Sequence, residues 1–241
     1  MNKTIIFHIP HDGNLFLNEL MSSVIVDAET FAFYHNQMRD MDATLFAPDI
    51  PGSQIIKFDI SRLLCDVERF IGDDEIMEKY GMGFCYERVY DGTLIKNVNN
   101  DIKQRTYSVY KQHHERLNEA VRRAIGKIIL VDLHSFSSEI IVHTKIDKKL
   151  PDICIGYDEY LSEQSLQMIV SAFTSLGLSV DVNYPYSGSL IPNCIISKEI
   201  NKDIVSFMVE VNKEYYMKNG KSDLSRIGVI RDAIEGIVRS L

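Results

Sequence analysis

The chain has no tryptophan, and its four cysteines, Cys65, Cys85, Cys154 and Cys194, form no CxxC pair. That spacing argues against a disulfide framework and against zinc held by thiolates. Each cysteine stands among apolar residues, as in LLCDV and DICIG, the setting of a reduced, buried thiol. No stretch approaches the roughly 20 apolar residues of a membrane span. The opening MNKTIIFHIPHDG has too short an apolar run for a signal peptide, so a cytoplasmic location is expected. There is no GxxxxGK[ST] loop and no GxGxxG after a strand pattern, which sets aside the common phosphate-cradling motifs. Basic residues are in deficit: 26 Lys and Arg against 34 Asp and Glu leave a formal charge of −8, contrary to what phosphate binding to nucleic acid requires. An anionic small substrate would have to meet positive charge built into its own site. No repeat, low-complexity tract or Gly/Ser/Pro linker divides the chain, and one domain over residues 1–241 is expected.

What the chain does hold is a series of apolar runs of strand type: TIIFHI (4–9), QIIKFDI (54–60), KIILVDL (127–133), DICIG (152–156), LSVDVN (178–183) and IVSFMVEV (204–211). Several are nearly continuous in apolar residues, as in strands covered on both faces. Helical patterns lie between and after them. From Gln104 to Gly126, Tyr107, Tyr110, His114, Leu117, Val121 and Ala124 recur at three- and four-residue spacing, with Gly126 as a stop. LSEQSLQMIVSAFTSLG (161–177) and the C-terminal LSRIGVIRDAIEGIVRSL repeat the theme. Strands alternating with helices predict an α/β fold with a mixed, mostly parallel central sheet flanked by helices. Ligands of such sheets bind outside the carboxyl ends of the strands.

Two histidines stand at that place: His11 follows TIIFHIP, and His134 ends KIILVDLHS. Neutral imidazole is a common zinc ligand, although a single such histidine is more often structural. A catalytic zinc takes three protein ligands and leaves one position open, so one carboxylate would complete the set. Asp12, Asp40 and Asp42 are the nearby choices, with a helix cap or a solvated turn as the plainer reading of RDMDA. Asp132 precedes His134 by two, points to the same face of a strand, and could orient the histidine. His8 lies within its strand and is expected to turn away from the site or into the core. Glu210 is a carboxylate in a run otherwise fit for burial, which suits either a salt bridge with a core arginine or a general base.

The segment SRLLCDVERF (61–70) carries Arg62, Asp66, Glu68 and Arg69 among residues of buried-strand composition, Leu63, Leu64, Cys65, Val67 and Phe70. Seven positions separate the two arginines, so they face oppositely in a regular strand; a bend must intervene for both to serve one site. The guanidinium fork binds carboxylates bidentately. A purely structural ion-pair network is the competing reading.

Taken together, HIPHDG, SRLLCDVERF, YGMGFCYERVYDG, HHERL, DLHSFSS, PDICIGYD, VNYPYSGSLIP and MVEVNKEYYM resemble the N-formylglutamate amidohydrolase family over nearly the whole chain. That family is similar in turn to the zinc carboxypeptidases and aspartoacylases, with a phosphorylase/hydrolase-like α/β fold. The resemblance implies an amidohydrolase that cleaves N-formyl-L-glutamate, or a similar short N-acyl amino acid, to glutamate and formate. It implies Zn²⁺ or another divalent metal on His11 and His134, with Asp40 as third ligand and Asp42 or Asp12 as alternatives. Glu210 is implied as the base that activates water, and Arg62 as a catalytic and substrate-binding group. Arg69, Tyr186, Ser187 and His114 are implied as substrate contacts. Where carboxypeptidases place a ligand glutamate three positions after the first histidine, this chain has Asn14. Two alternatives remain beside this reading: a carboxypeptidase or amidase with the same metal centre, and a non-catalytic binder of an acidic metabolite.

Overall fold

The computed structural model describes residues 2–72, 75–141, 146 and 148–241. Six strands form the central sheet: β1 (Lys3–Ile9), β2 (Gln54–Lys57), β3 (Lys127–Phe136), β4 (Ile153–Gly156), β5 (Val180–Val182) and β6 (Ile204–Asn212). Their order is β2-β1-β3-β6-β4-β5. β2, β1, β3 and β6 are mutually parallel, β4 runs antiparallel to β6, and β5 runs parallel to β4. The expected mixed, mostly parallel sheet is therefore observed, and each strand overlaps an apolar run named above, with β1, β3 and β6 extending past their runs. The second run is shorter than its pattern: regular pairing stops at Lys57, and Phe58 continues only by donating its N–H to the carbonyl of Ile9 (2.9 Å).

Alternation along the strands divides the core into two layers. Ile5, Phe7, Ile9, Val131, Leu133, Phe207 and Val209 join one cluster with Ile169, Phe173, Ile230 and Ile234. Those partners come from α3 (Glu163–Thr174) and α4 (Leu224–Ser240). Ile6, Ile128, Leu130 and Ile204 face the other way, onto Leu117, Ala120 and Val121 of α2 (Asn100–Arg123). The period of two carries this division to the strand ends. His8, Asp132, His134 and Glu210 share the parity of the second layer and so emerge on the face that α2 covers.

Helix boundaries follow from caps. Asn99 accepts a hydrogen bond from the N–H of Ile102 (2.9 Å) and starts α2 earlier than the apolar spacing alone predicts. Asp27 caps α1 (Ala28–Met38) by accepting from Thr30 N–H (2.7 Å). After α1, the chain turns back toward β1, where the N–H of Asp40 donates to the carbonyl of His11 (3.0 Å). Gly13 is needed beside that contact, because a Cβ there would lie 2.5 Å from the backbone of Asp59 and Ile60.

The SRLLCDVERF segment is not a strand. Its backbone closes on itself through Leu64 N–H and Cys65 N–H, both donating to the carbonyl of Ser61 (2.9 and 3.2 Å). Leu63, Leu64, Cys65 and Val67 are buried as their composition indicates, but Phe70 is 68% exposed. Local turn bonds thus replace ladder bonds, and they supply the bend that brings Arg62 and Arg69 to one side.

Candidate active site

β1 connects to β2 on one side and the sheet then continues on its other side with β3, so the carboxyl ends of β1 and β3 flank a topological switch point. A cavity of about 630 Å³ opens there, lined among others by His11, Asp40, Arg62, Arg69, His134 and Glu210. The sheet register fixes much of its floor: His8 pairs with Asp132 across β1 and β3, and His134 with Glu210 across β3 and β6.

His11, Asp40 and His134 each present a ligand atom, all within 4.8 Å of one another. His134 Nδ1 is 2.9 Å from Asp40 Oδ2, and His11 Nδ1 is 3.7 Å from the same oxygen. The opposite nitrogens face carboxylates. His11 Nε2 is 2.8 Å from Asp66 Oδ1, and His134 Nε2 lies 3.1 Å from Glu68 and 3.2 Å from Asp132. Metal-binding histidines characteristically have such a partner behind the ring. Two imidazoles and a carboxylate are a donor set suited to Zn²⁺, and these residues fit a divalent metal on that ground. The other carboxylates weighed from sequence turn elsewhere. Asp12 accepts from Arg39 (2.6 Å) and from Thr44, and Asp42 accepts from Ser222 (2.5 Å). Asn14 is exposed.

Asp66 gathers the charged and polar groups behind His11. It accepts from Arg62 Nη2 (2.8 Å), Tyr86 Oη (2.7 Å) and the backbone N–H of Glu68 (3.1 Å), besides facing His11. Burial favours its neutral form, but His11, Arg62 and Arg69 together hold it well below the usual carboxylate range. Arg62 also comes within 3.7 Å of Asp40. Arg69 is 3.5 Å from Asp66, and its Nε has no hydrogen-bond partner. The two arginines of the segment thus differ: Arg62 hydrogen-bonds Asp66, whereas Arg69 meets Asp66 only at ion-pair distance through a buried Nε, and its side chain lines the cavity.

Glu210 is buried, and its Oε2 has no hydrogen-bond partner. Burial raises its pKa to about 8, with Asp40 and Glu68 adding to the rise and His134 and His11 opposing it. It makes no salt bridge with an arginine among the described residues. His114 lines the cavity and donates from Nε2 to the carbonyl of Val67 (2.7 Å), with its pKa lowered by burial to about 4. Tyr186 and Ser187 also line the cavity, and Tyr186 packs against Phe136 with ring centroids 5.7 Å apart.

His8 is buried in the core, as expected, and is not among the residues that line the cavity. Its Nδ1 lies 2.7 Å from Asp132 Oδ1 and its Nε2 lies 2.8 Å from His113 Nε2, all buried. The series His113–His8–Asp132–His134 therefore runs from α2 through β1 to β3. His113 and Tyr86 join the site without a signal of their own in the spacing of the chain, adjacent His113 and His114 in HHERL being the available hint; Glu68 is marked in the sequence only as a member of the charged segment 61–70.

In fold, the chain is similar to the crystal structure of N-formylglutamate amidohydrolase from Ralstonia eutropha JMP134, with a TM-score of 0.76 and 16% identity over 98% of this chain and 95% of that one. It is also similar to a gene product of Agrobacterium tumefaciens, with a TM-score of 0.69 and 13% identity over 98% of this chain and 90% of that one. No curated protein matches by sequence. The class reached is that of enzymes hydrolysing an amide bond. More narrowly, the model of the N-formylglutamate amidohydrolase family matches residues 3–217, and the chain belongs to that family.

Proposed function

We propose that this chain hydrolyses the amide of N-formyl-L-glutamate or a similar short N-acyl amino acid, releasing formate or the corresponding acid. The observation that carries this reading is the juxtaposition of His11, Asp40 and His134 with the buried, unpartnered carboxylate of Glu210 on the neighbouring strand. His11, Asp40 and His134 would hold a divalent metal, Zn²⁺ by donor type. When bound, that ion supplies Lewis acidity and makes water a stronger acid.

The remaining work belongs to the chain. Glu210 takes a proton from the attacking water and returns it to the leaving nitrogen, a role matched by a carboxylate whose burial raises its proton affinity. Arg62, held rigidly by Asp66, stabilises negative charge developing on the carbonyl oxygen. Arg69, whose side chain lines the cavity beside Asp66, binds the substrate carboxylate and orients the amide. His114 keeps the Val67 carbonyl, and with it the Arg69 segment, against α2. Tyr186 and Ser187 line the side facing the substrate.

The test is formate release from N-formyl amino acids by purified protein, with and without a chelator, alongside elemental analysis for metal. Release that is lost with the chelator and restored by zinc is the expected result. Absence of release from every N-formyl amino acid, with metal restored, would exclude the reading.

A further inference from the structure

The walls of the cavity carry chemistry that the hydrolytic step does not use. Among the described residues, Arg62 and Arg69 are the arginines or lysines that line it, facing the carboxylates of Asp40, Glu68, Glu75, Asp132, Asp158 and Glu210. Arg62 hydrogen-bonds Asp66 through Nε and Nη2, whereas Arg69 makes no such bond to it and lines the cavity, so Arg69 is the arginine read as the clamp for a substrate carboxylate. A second carboxylate on the substrate would meet like charge, a juxtaposition that disfavours binding.

The same cavity exposes large apolar side chains. Phe70 is 68%, Ile76 63% and Ile196 57% exposed, and all three line it. Apolar lining with a few converging polar groups is the usual make-up of a small-molecule site, and about 630 Å³ lies within the range that accepts ligands much larger than a formyl group on a small residue. The apolar patch also has a definite place. Glu75 accepts from the N–H of Phe70 through one oxygen and from the N–H of Met77 through the other, both at 2.7 Å. That clamp ties the backbone at Phe70, the residue after Arg69, to the backbone at Met77, the residue after Ile76.

We propose that the preferred substrate is an N-acyl amino acid with a single carboxylate and a bulky apolar side chain, of the leucine or phenylalanine kind, lodged against Phe70 and Ile76. This rests on the reading of the site as an amide hydrolase with Arg69 as the carboxylate clamp. The dicarboxylate N-formyl-L-glutamate is then a poorer substrate of this chain.

The experiment compares N-formyl-L-leucine with N-formyl-L-glutamate as substrates of the zinc-loaded protein, and measures the affinity of both for the Glu210→Gln variant by calorimetry. A kcat/KM at least about tenfold higher for the leucine compound is expected, the scale on which an apolar pocket discriminates. Tighter binding of that compound to the variant is expected in parallel. Replacing both Phe70 and Ile76 by alanine should raise KM for N-formyl-L-leucine and leave KM for N-formyl-L-glutamate unchanged. Equal or better turnover of N-formyl-L-glutamate would overturn the preference while leaving the hydrolase reading intact. Hydrolysis of neither compound would overturn both. Equal KM changes for the two substrates in the double variant would overturn the assignment to Phe70 and Ile76.

Discussion

At the scale of single residues, Glu210 and Arg69 make opposite demands on a substitution. Glu210→Gln keeps shape and removes the base, so kcat should fall by about 10²–10⁴-fold with substrate affinity retained. Steady-state kinetics paired with calorimetry separates the two effects. Unchanged kcat would remove Glu210 from proton transfer. Arg69→Ala takes away the guanidinium proposed to hold the substrate carboxylate, and the expected signature is in KM. Loss of a charged contact of this type costs about 2 kcal/mol or more, roughly a 30-fold rise in KM for a carboxylate substrate. An amide analogue lacking that carboxylate should show little difference between wild type and variant.

Histidine positions at strand ends were legible from the chain alone, because burial pattern and strand parity locate them. The choice among Asp12, Asp40 and Asp42 was open, since no period governs an irregular loop. Asp40 reaches the histidines because its N–H is anchored on the carbonyl of His11, a contact invisible to spacing arguments. The pairing that His8 makes within the core was hidden for a related reason. Its partner His113 stands 105 positions away, on a helix whose docking no local pattern encodes.

At the scale of elements, α2 is coupled to the site by paired side chains as well as by packing. His113 meets His8, His8 meets Asp132, and Asp132 backs His134, each within 3.2 Å. Partners behind a ligand histidine typically influence metal affinity by 10–100-fold, and loss of the outermost member should fall at the lower end. We therefore expect His113→Leu to weaken zinc binding by about tenfold, with His113→Gln restoring part of the loss because its amide can reach His8. Competition against a zinc chelator reads this directly, and thermal unfolding of the metal-free protein checks that the fold persists. Identical zinc affinity in wild type and His113→Leu would reduce the series to packing. The segment 61–70 teaches a complementary lesson about elements. Its apolar content describes burial correctly, but burial does not specify hydrogen bonding, and Ser61 diverts the backbone into turns.

For the whole molecule, the concentration of buried ionisable groups makes stability depend on pH in both directions. Asp40, Asp66 and Asp132 are held below the usual carboxylate range, against their burial, by the histidines around them and, at Asp66, also by the arginines. Their contribution is present above the unfolded value of 3.8 and is lost as pH falls toward the folded values. Glu210 acts with the opposite sign. Its folded value is raised by burial, so its contribution is complete below 4.5 and is lost as pH rises toward about 8. His11 and His134 are raised despite burial, by Asp66 and Asp40 in one case and by Glu68, Asp132 and Glu210 in the other, and their contribution is also lost on the alkaline side, above 6.5. In the presence of chelator, the unfolding midpoint should therefore decline both below pH 3.8 and as pH rises from 4.5 through about 8. Glu210→Gln should flatten the alkaline decline. A profile unaltered by that substitution would show that Glu210 ionises in the fold as freely as in the unfolded chain.

The fold class was readable because six apolar runs and the helical patterns between them agree with one arrangement. The antiparallel entry of β4 beside β6 was not readable, since strand direction leaves no mark on apolar composition. No described helix is long and apolar enough to cross a membrane.

The rung that pairs His134 with Glu210 also sets which length changes the gene can accumulate. One codon inserted within β3 ahead of His134 would reverse the facing of every later side chain in that strand, exchanging His134 for an apolar neighbour and burying imidazole beneath α3 and α4. The same codon inserted in the exposed turn at Gly177, which carries a positive φ of 79°, leaves the ladder in frame. Scanning single-codon insertions should therefore give sharply bounded intolerant intervals at β3 and β6, with tolerant ones in the connections.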